Sequence, residues 1–316
     1  MSGPARSHPS VERPALGHRG AAWVALFVTL LWSSSWVLIR WGLEDEALPP
    51  ITFAALRYAL AAAILVAWVV ARRAPGETSM RPDRGQLLQL VILGVLLYAV
   101  TQGAQFVALA HQPAATTSLV LSLTPTLVAV TAALSLAEVP ARRQIVGVLL
   151  VAVGATLYFA GDLSATVAGT TAAIVGLAAN VASSVLGRSV NRNARLSPVV
   201  VTAISMSVGA AVLVVAGLLA EGLPMVTPRA WLLFAWLALV NTAFAFTLWN
   251  ASLRRLSAVE SAGINNTMLI QIALLAWLFL GEDPGPVGLL GIVVVSAGVF
   301  LSQARRPAPM AAETER

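Results

Sequence analysis

The chain has 316 residues, of which 58% are hydrophobic and 11% charged, with a formal net charge of +6 and no cysteine. Soluble domains carry about 25% charged and about 45–50% apolar residues, so this balance, with a mean hydropathy of +0.82, excludes a soluble globular enzyme and also a disordered chain. Without cysteine there is no disulfide framework, thiolate nucleophile or thiolate metal site.

The basic balance superficially suits a nucleic-acid binder. All 20 basic residues are arginine, however, and they are scattered in small groups between apolar runs rather than gathered on one face. That is the pattern of a multi-pass membrane protein, so the lipid bilayer, and no nucleic acid, is the expected partner.

Ten apolar segments follow in chain order: 21–40, 50–71, 87–109, 114–136, 144–160, 168–187, 198–219, 230–251, 258–280 and 286–303. Each approaches the ~20 residues that a spanning helix requires. The first is too long for a signal-peptide core and reads as a retained helix. Suppose the N-terminus is cytoplasmic. Its tail (Arg6, Arg13, Arg19), the loops after the even-numbered segments (Arg72, Arg73, Arg81, Arg84; Arg142, Arg143; Arg188, Arg192, Arg195; Arg254, Arg255) and the C-terminal tail (Arg305, Arg306, Arg316) then hold 17 of the 20 arginines. The opposite loops are acidic: Glu44, Asp45, Glu46, Asp162, Glu221, Glu282 and Asp283. The arginine bias predicts ten spans in the cell membrane with both termini cytoplasmic. Trp23, Trp41, Trp68, Trp231, Trp249 and Trp277 fall near the predicted interfaces, whereas Trp32 and Trp36 fall mid-helix.

A shift of 144 residues superposes the chain on itself. Glu138 and Pro140 fall on Glu282 and Pro284, Gly147 on Gly291, Gly154 on Gly298, and ten of 29 positions from 129 to 157 are identical. The shift moves the chain by five helices, an odd number, so the two halves enter the membrane upside down relative to each other. An inverted repeat is a signature of secondary transporters, with the substrate site near the midplane where the halves meet. The expected organisation is a cytoplasmic tail at 1–19, five-helix repeats at 20–160 and 161–303, and a second cytoplasmic tail at 304–316. The fold class is an all-α integral membrane protein.

The first segment carries Leu31-Trp32-Ser33-Ser34-Ser35-Trp36, the second Leu56-Arg57-Tyr58, the third ends in Ala108-Leu109-Ala110, and the fourth carries Ser122-Leu123-Thr124-Pro125 before Ala137-Glu138. The second half has Trp249-Asn250-Ala251-Ser252-Leu253-Arg254-Arg255-Leu256-Ser257-Ala258 and then Leu280-Gly281-Glu282. Taken in order, and with the repeat, the set resembles the EamA-type transporters of the drug/metabolite transporter superfamily along the whole membrane region. The resemblance implies ten helices in two inverted repeats and export of amino acids or other small metabolites. The family usually has a mid-helix proline in both halves; here Pro125 is matched by Leu269, which puts the kink of the ninth helix in doubt.

Polar groups at bilayer depth need partners or a wet cavity. Counting from helix ends selects Trp32, Ser33, Trp36, Tyr98, Gln102, Ser122, Asn180, Asn241, Asn265 and Asn266 as candidate substrate-binding residues, with Tyr98 and Gln102 on one face at i,i+4. Serine and threonine hydroxyls commonly bond their own backbone, and amides commonly bond a neighbouring helix. Arg57 is the one charge well inside a helix. It reads either as an anchor for a substrate carboxylate or as a structural arginine, and the structural reading is favoured because the position matches a family motif whatever the substrate. Glu138 and Glu282 read as helix-end residues. The glycine pairs 147/154 and 291/298 predict close packing of the fifth and tenth helices, within the chain or in a homodimer.

The alternatives are a passive channel or receptor, or a membrane-embedded enzyme. His8 and His18 lie in a tail and His111 in a loop, and no zinc-binding His-Glu-x-x-His helix, intramembrane carboxylate pair or phosphate-binding glycine loop is present. No catalytic residue, metal or cofactor is therefore expected, and a small-molecule substrate is. With no carboxylate or histidine at mid-depth, movement is expected to be facilitated or by exchange. The topology is open to cysteine labelling: a single cysteine at Ser79 should be shielded from an impermeant reagent in intact cells and one at Glu46 should react. The opposite pattern would sink the assignment of the two faces.

Overall fold

The computed structural model describes residues 17–72, 82–124, 126–128, 131, 142–161, 165–193, 196, 198–253, 256 and 258–303. Ten helices account for nearly all of them, and no strand occurs among the described residues. They are α1 (His18–Glu44), α2 (Pro50–Ala71), α3 (Arg84–His111), α4 (described from Ala114 to Leu121), α5 (Arg142–Gly161), α6 (Val167–Asn193), α7 (Pro198–Ala220), α8 (228–253), α9 (Ala258–Leu280) and α10 (Gly285–Gln303). Five, namely α1, α2, α3 and the stretches Val167–Gly187 and Val199–Ala220, are long and apolar enough to cross a bilayer. Shorter apolar stretches stand in α4, α5, α9 and α10. Glu44 and Glu46 after α1, Glu221 after α7 and Glu282 after α9 gather at one end of the bundle, its acidic face.

Local chemistry sets the helix ends. Asp83 and Gln86 form a reciprocal capping box at the start of α3. Thr227 caps α8 by accepting from the Ala230 N–H at 3.0 Å, and Pro228 follows at the first helical position. Gly222, at φ +78°, turns the chain after α7 in the left-handed region that a side chain would resist. Large apolar residues such as Leu149, Leu219, Leu232 and Val293 are more than half exposed, a surface that suits lipid rather than water. Trp23, Trp68, Trp231 and Trp277 are exposed near helix ends, as interfacial anchors are. Trp249 differs from the sequence expectation. It turns inward against Trp32, with ring centroids 5.2 Å apart.

The pairing of helices obeys the repeat. α2 packs on α7 and α5 on α10, and each of these pairs maps onto itself when the halves exchange. α1 packs on α9 and α8, and the equivalent contacts of α6 with α4 and α3 are also made. The repeat extends to a local irregularity. α3 passes through a π-helical segment at Val95–Thr101 and α8 through one at Leu239–Phe244, which begin 144 residues apart. In each, a threonine donates five residues back, Thr101 to the Leu96 carbonyl at 2.8 Å and Thr242 to the Leu237 carbonyl at 2.9 Å. Such a widened turn re-aims the side chains around it and is frequent at functional sites. α9, by contrast, is α-helical throughout Ala258–Leu280, with Leu269 buried where the family has proline. Its repeat mate Pro125 lies outside the described residues.

The paired glycines bring α5 and α10 together within one chain, so the packing predicted for them is intramolecular. A Cβ at Gly291 would lie 2.7 Å from the Gly154 carbonyl oxygen and 2.7 Å from the Tyr158 nitrogen, and one at Gly298 would lie 2.7 Å from the Gly147 oxygen. Backbone cannot yield there as a flexible side chain would. Gly291→Val should therefore destabilise the protein by about 1–3 kcal/mol, whereas lipid-facing Val293→Ala should stay within about 0.5 kcal/mol. Thermal unfolding in detergent checks this, and equal melting of the two variants would refute the close crossing.

Candidate substrate site

A cavity of about 510 Å³ opens between α1, α2, α3, α4, α6, α8 and α9, within the range that holds a small organic ligand. Of the ten residues selected from the sequence, Trp32, Trp36, Gln102, Ser122, Asn180, Asn241 and Asn265 line it. Ser33 and Tyr98 are not among its lining side chains. Ser33 is fully buried, 2.8 Å from the Thr29 carbonyl oxygen and 2.9 Å from Gln271 Oε1, and ties α1 to α9. Tyr98 sits inside the π segment, so the α-helical i,i+4 rule that placed it beside Gln102 does not apply; it pairs with Ser205 of α7 and packs its ring on Tyr58 at 5.8 Å. The Asn266 side chain lies outside the described residues.

The cavity also takes in residues that the sequence did not single out as a site: Ser35, Tyr58, Gln105, Phe246 and, above all, Arg57. Gln105 follows Gln102 at i+3, a spacing that would have revealed it. Arg57, for which the sequence favours a structural role over a carboxylate anchor, lies on the lining.

Hydrogen bonding fixes what each wall can offer. Ser35 donates to the Trp32 carbonyl, Ser118 to that of Ala115, Ser122 to that of Leu119 and Thr124 to that of Leu121, all at 2.6–2.8 Å. Each hydroxyl proton is thereby used within its own helix, and the lone pairs remain, so these residues act as acceptors toward the cavity. Among the amides, Asn180 Nδ2 donates to Thr124 Oγ1 at 3.1 Å and Gln102 Oε1 accepts from the Tyr58 hydroxyl at 2.6 Å. Asn241 Nδ2 donates to the Leu31 carbonyl, while its Oδ1 is buried without a hydrogen-bond partner among the described residues. Trp32, held between Phe246 and Trp249 at 5.2 Å from each, gives the site a flat apolar wall.

The lining residues themselves follow the repeat. Trp36 and Asn180, Gln102 and Phe246, Leu121 and Asn265, Thr124 and Met268, and Val128 and Ile272 are pairs 144 apart, and both members of each line the cavity. The cavity therefore lies on the pseudo-two-fold axis that relates the halves.

A model of the EamA-like transporter family matches residues 19–160 and again 161–303. The chain belongs to the EamA-like transporter family. It is 25% identical over 284 residues to an "Uncharacterized transporter" of Archaeoglobus fulgidus, covering 88% of this chain and 95% of that one. It is 26% identical over 291 residues to a "Probable terminal-alkyne amino-acid exporter" of Streptantibioticus cattleyicolor, covering 90% and 94%. A crystal structure at 20% identity aligns with a TM-score of 0.63 over 90% of this chain and 96% of its own, a likeness of fold. The protein is thus a multi-pass membrane transporter.

Between the cavity and the acidic face this EamA-like transporter places two layers. Phe53, Phe106 and Phe234 are fully buried and meet edge to face at 5.0 and 5.2 Å, joining α2, α3 and α8. Beyond them, Glu282 accepts from the N–H groups of Ala114 at 3.0 Å and Ala115 at 3.2 Å, satisfying the start of α4 from the loop before α10. Arg40 of α1 stands 3.6 Å from the same carboxylate and also engages Glu44 and the Leu109 carbonyl. Glu221 does the same for α2, accepting from Ile51 at 3.0 Å and Thr52 at 2.7 Å. A carboxylate at a helix N-terminus satisfies orphan donors and opposes the helix dipole. The acidic loops thus have a structural task that the charge count alone did not reveal; Glu138, the repeat mate of Glu282, lies outside the described residues. Glu282→Ala should lower stability by about 1–3 kcal/mol, combining a lost cap with the loss of one of the two ion pairs of Arg40, and Glu282→Gln, which keeps an acceptor, by less. Melting in detergent with that order reversed would remove the capping role.

Proposed function

We propose that this EamA-like transporter is a secondary transporter of the cell membrane, with both termini cytoplasmic, that exports small neutral or zwitterionic metabolites such as amino acids. The observation that carries the reading is the composition of the axial cavity. Aromatic rings, amides and hydroxyls line it, Arg57 is the one charged side chain among the described lining residues, and no carboxylate is among them. A solute of net charge entering it would lose its hydration at a cost of at least several kcal/mol per ion unless a counter-charge met it. A zwitterion or a neutral polar solute finds hydrogen-bond partners on every wall. The name of the relative from Streptantibioticus cattleyicolor, an amino-acid exporter, points to the same solute class, and the inverted repeat favours alternating exposure of a central site over a passive pore.

Selectivity tests the reading. Trp32→Ala or Gln102→Ala, at unchanged membrane abundance, should change which labelled amino acids leave preloaded vesicles, by about tenfold in relative rate for solutes that contact the lost group. Rings and amides that merely fill the helix interface would leave the order of solutes unchanged, or slow all of them equally, and either result would remove the binding role.

A further inference from the structure

Two arginines that lie inside helices of the first half, away from their cytoplasmic ends, are treated in opposite ways. Arg40 is held by Glu44, Glu282 and a main-chain carbonyl near the acidic face. Arg57 has neither an ion pair nor a hydrogen bond among the described residues, although it is 95% buried, with 5% of its surface exposed, and its Nε is enclosed without an acceptor. Its contacts are the faces of Tyr58 at 5.2 Å and Phe106 at 6.0 Å. Those rings orient and partly stabilise a cation, yet they supply no acceptor to its enclosed Nε–H. It does not snorkel, because it lies seven residues into α2 from the acidic face and borders the cavity. A buried cation without a counter-ion is costly in a transporter that carries nothing, and the cost falls when an anion arrives.

From this geometry we infer that Arg57 is the receptor for the carboxylate of the transported solute, so that the substrate class is a small amino acid or similar metabolite bearing one free carboxylate. The inference rests on the transport reading above and narrows it. The planar guanidinium fork matches a carboxylate with two parallel hydrogen bonds. The hydroxyl lone pairs of Ser118 and Ser122 on the cavity lining accept rather than donate, which suits an ammonium. One cation and several acceptors with no anion describe the complement of a zwitterion better than that of an amine or of a neutral sugar. Arg57 thereby fixes which end of the solute points toward the acidic face.

The test uses the full-length protein in vesicles preloaded with phenylalanine and leucine or with phenylalaninamide and leucinamide, which keep the amino group and side chain and lose the carboxylate. The wild type should export the acids at least tenfold faster than the amides at equal loading. Arg57→Gln should lose about ten- to a hundredfold in the acids, the range for a hydrogen bond to a charged group, and leave the amides within about twofold. Arg57→Lys, which keeps the charge without the fork, should retain a reduced preference for the acids. If the wild type exports amides as readily as acids, or if folded Arg57→Gln keeps the preference, the receptor role is overturned while the transport reading stands. Export of none of the four solutes above protein-free vesicles overturns both. Where Arg57→Gln does not yield folded protein, the acid-to-amide ratio of the wild type and of Arg57→Lys decides alone.

Discussion

The hydrocarbon interior supplies no water to a polar atom, and this requirement organises the molecule. Backbone groups are satisfied within helices, and the exceptions are dealt with individually. The start of α4 is satisfied by Glu282 and that of α2 by Glu221, each delivered from a distant loop. Hydroxyls facing the cavity bond carbonyls of their own turn, and the π segments find donors in Thr101 and Thr242. Once those needs are met, the atoms left over are informative. Among the described residues that line the cavity they are the Arg57 Nε, a donor on α2, and the Asn241 Oδ1, an acceptor on α8. In a soluble protein two such atoms could be assigned to surface water. At bilayer depth they describe a space that must be wet or occupied.

The inverted repeat explains why that space lies where it does. Two upside-down halves bring equivalent positions to opposite sides of one axis, so a residue that faces inward in one half has a counterpart facing inward in the other. Trp36 and Asn180, or Thr124 and Met268, are such pairs. The glycine crossing of α5 with α10 and the contact of α2 with α7 lie on the same symmetry and close the bundle around it. Backbone irregularity is inherited too: the widened turns of α3 and α8 start at equivalent positions, and the repeat mates that follow them, Gln102 and Phe246, both line the chamber.

Much of this was legible in the sequence because hydropathy, arginine placement and a 144-residue self-match are properties of whole segments. The helices, the repeat and seven of the cavity residues follow from them. What was not legible depends on local backbone form and on long-range partners. Tyr98 was placed beside Gln102 by an α-helical spacing that fails inside a π turn. Ser33 was read as facing the substrate because nothing in a sequence shows that Gln271, on the ninth helix, stands across from it. Trp249 matched an interfacial position by depth, but its direction around the helix turns it onto Trp32. A structural role was favoured for Arg57 on its motif, and no motif records that Arg57 has no carboxylate partner among the described residues.

That absence marks the point at which symmetry stops. The repeat mate of Arg57 is Val201, a buried residue that packs with Leu90, Leu93 and Val190 beneath α3 and α6. The counterpart of Asn241 is Leu97, which packs in the same region. The scaffold is therefore nearly symmetric while the charge and the open acceptor each occur in one half only. A symmetric scaffold alone would hold a solute equally well in either orientation. On the role proposed for Arg57, a single cation placed by the first half distinguishes the two ends of a dipolar solute. It also leaves the cavity without a second strong charge that would oppose release, since departure then breaks one ionic contact and several neutral ones. For a transporter, weak and oriented binding of this kind is more useful than tight binding, because a site that is too deep an energy well slows the half-cycle that must empty it.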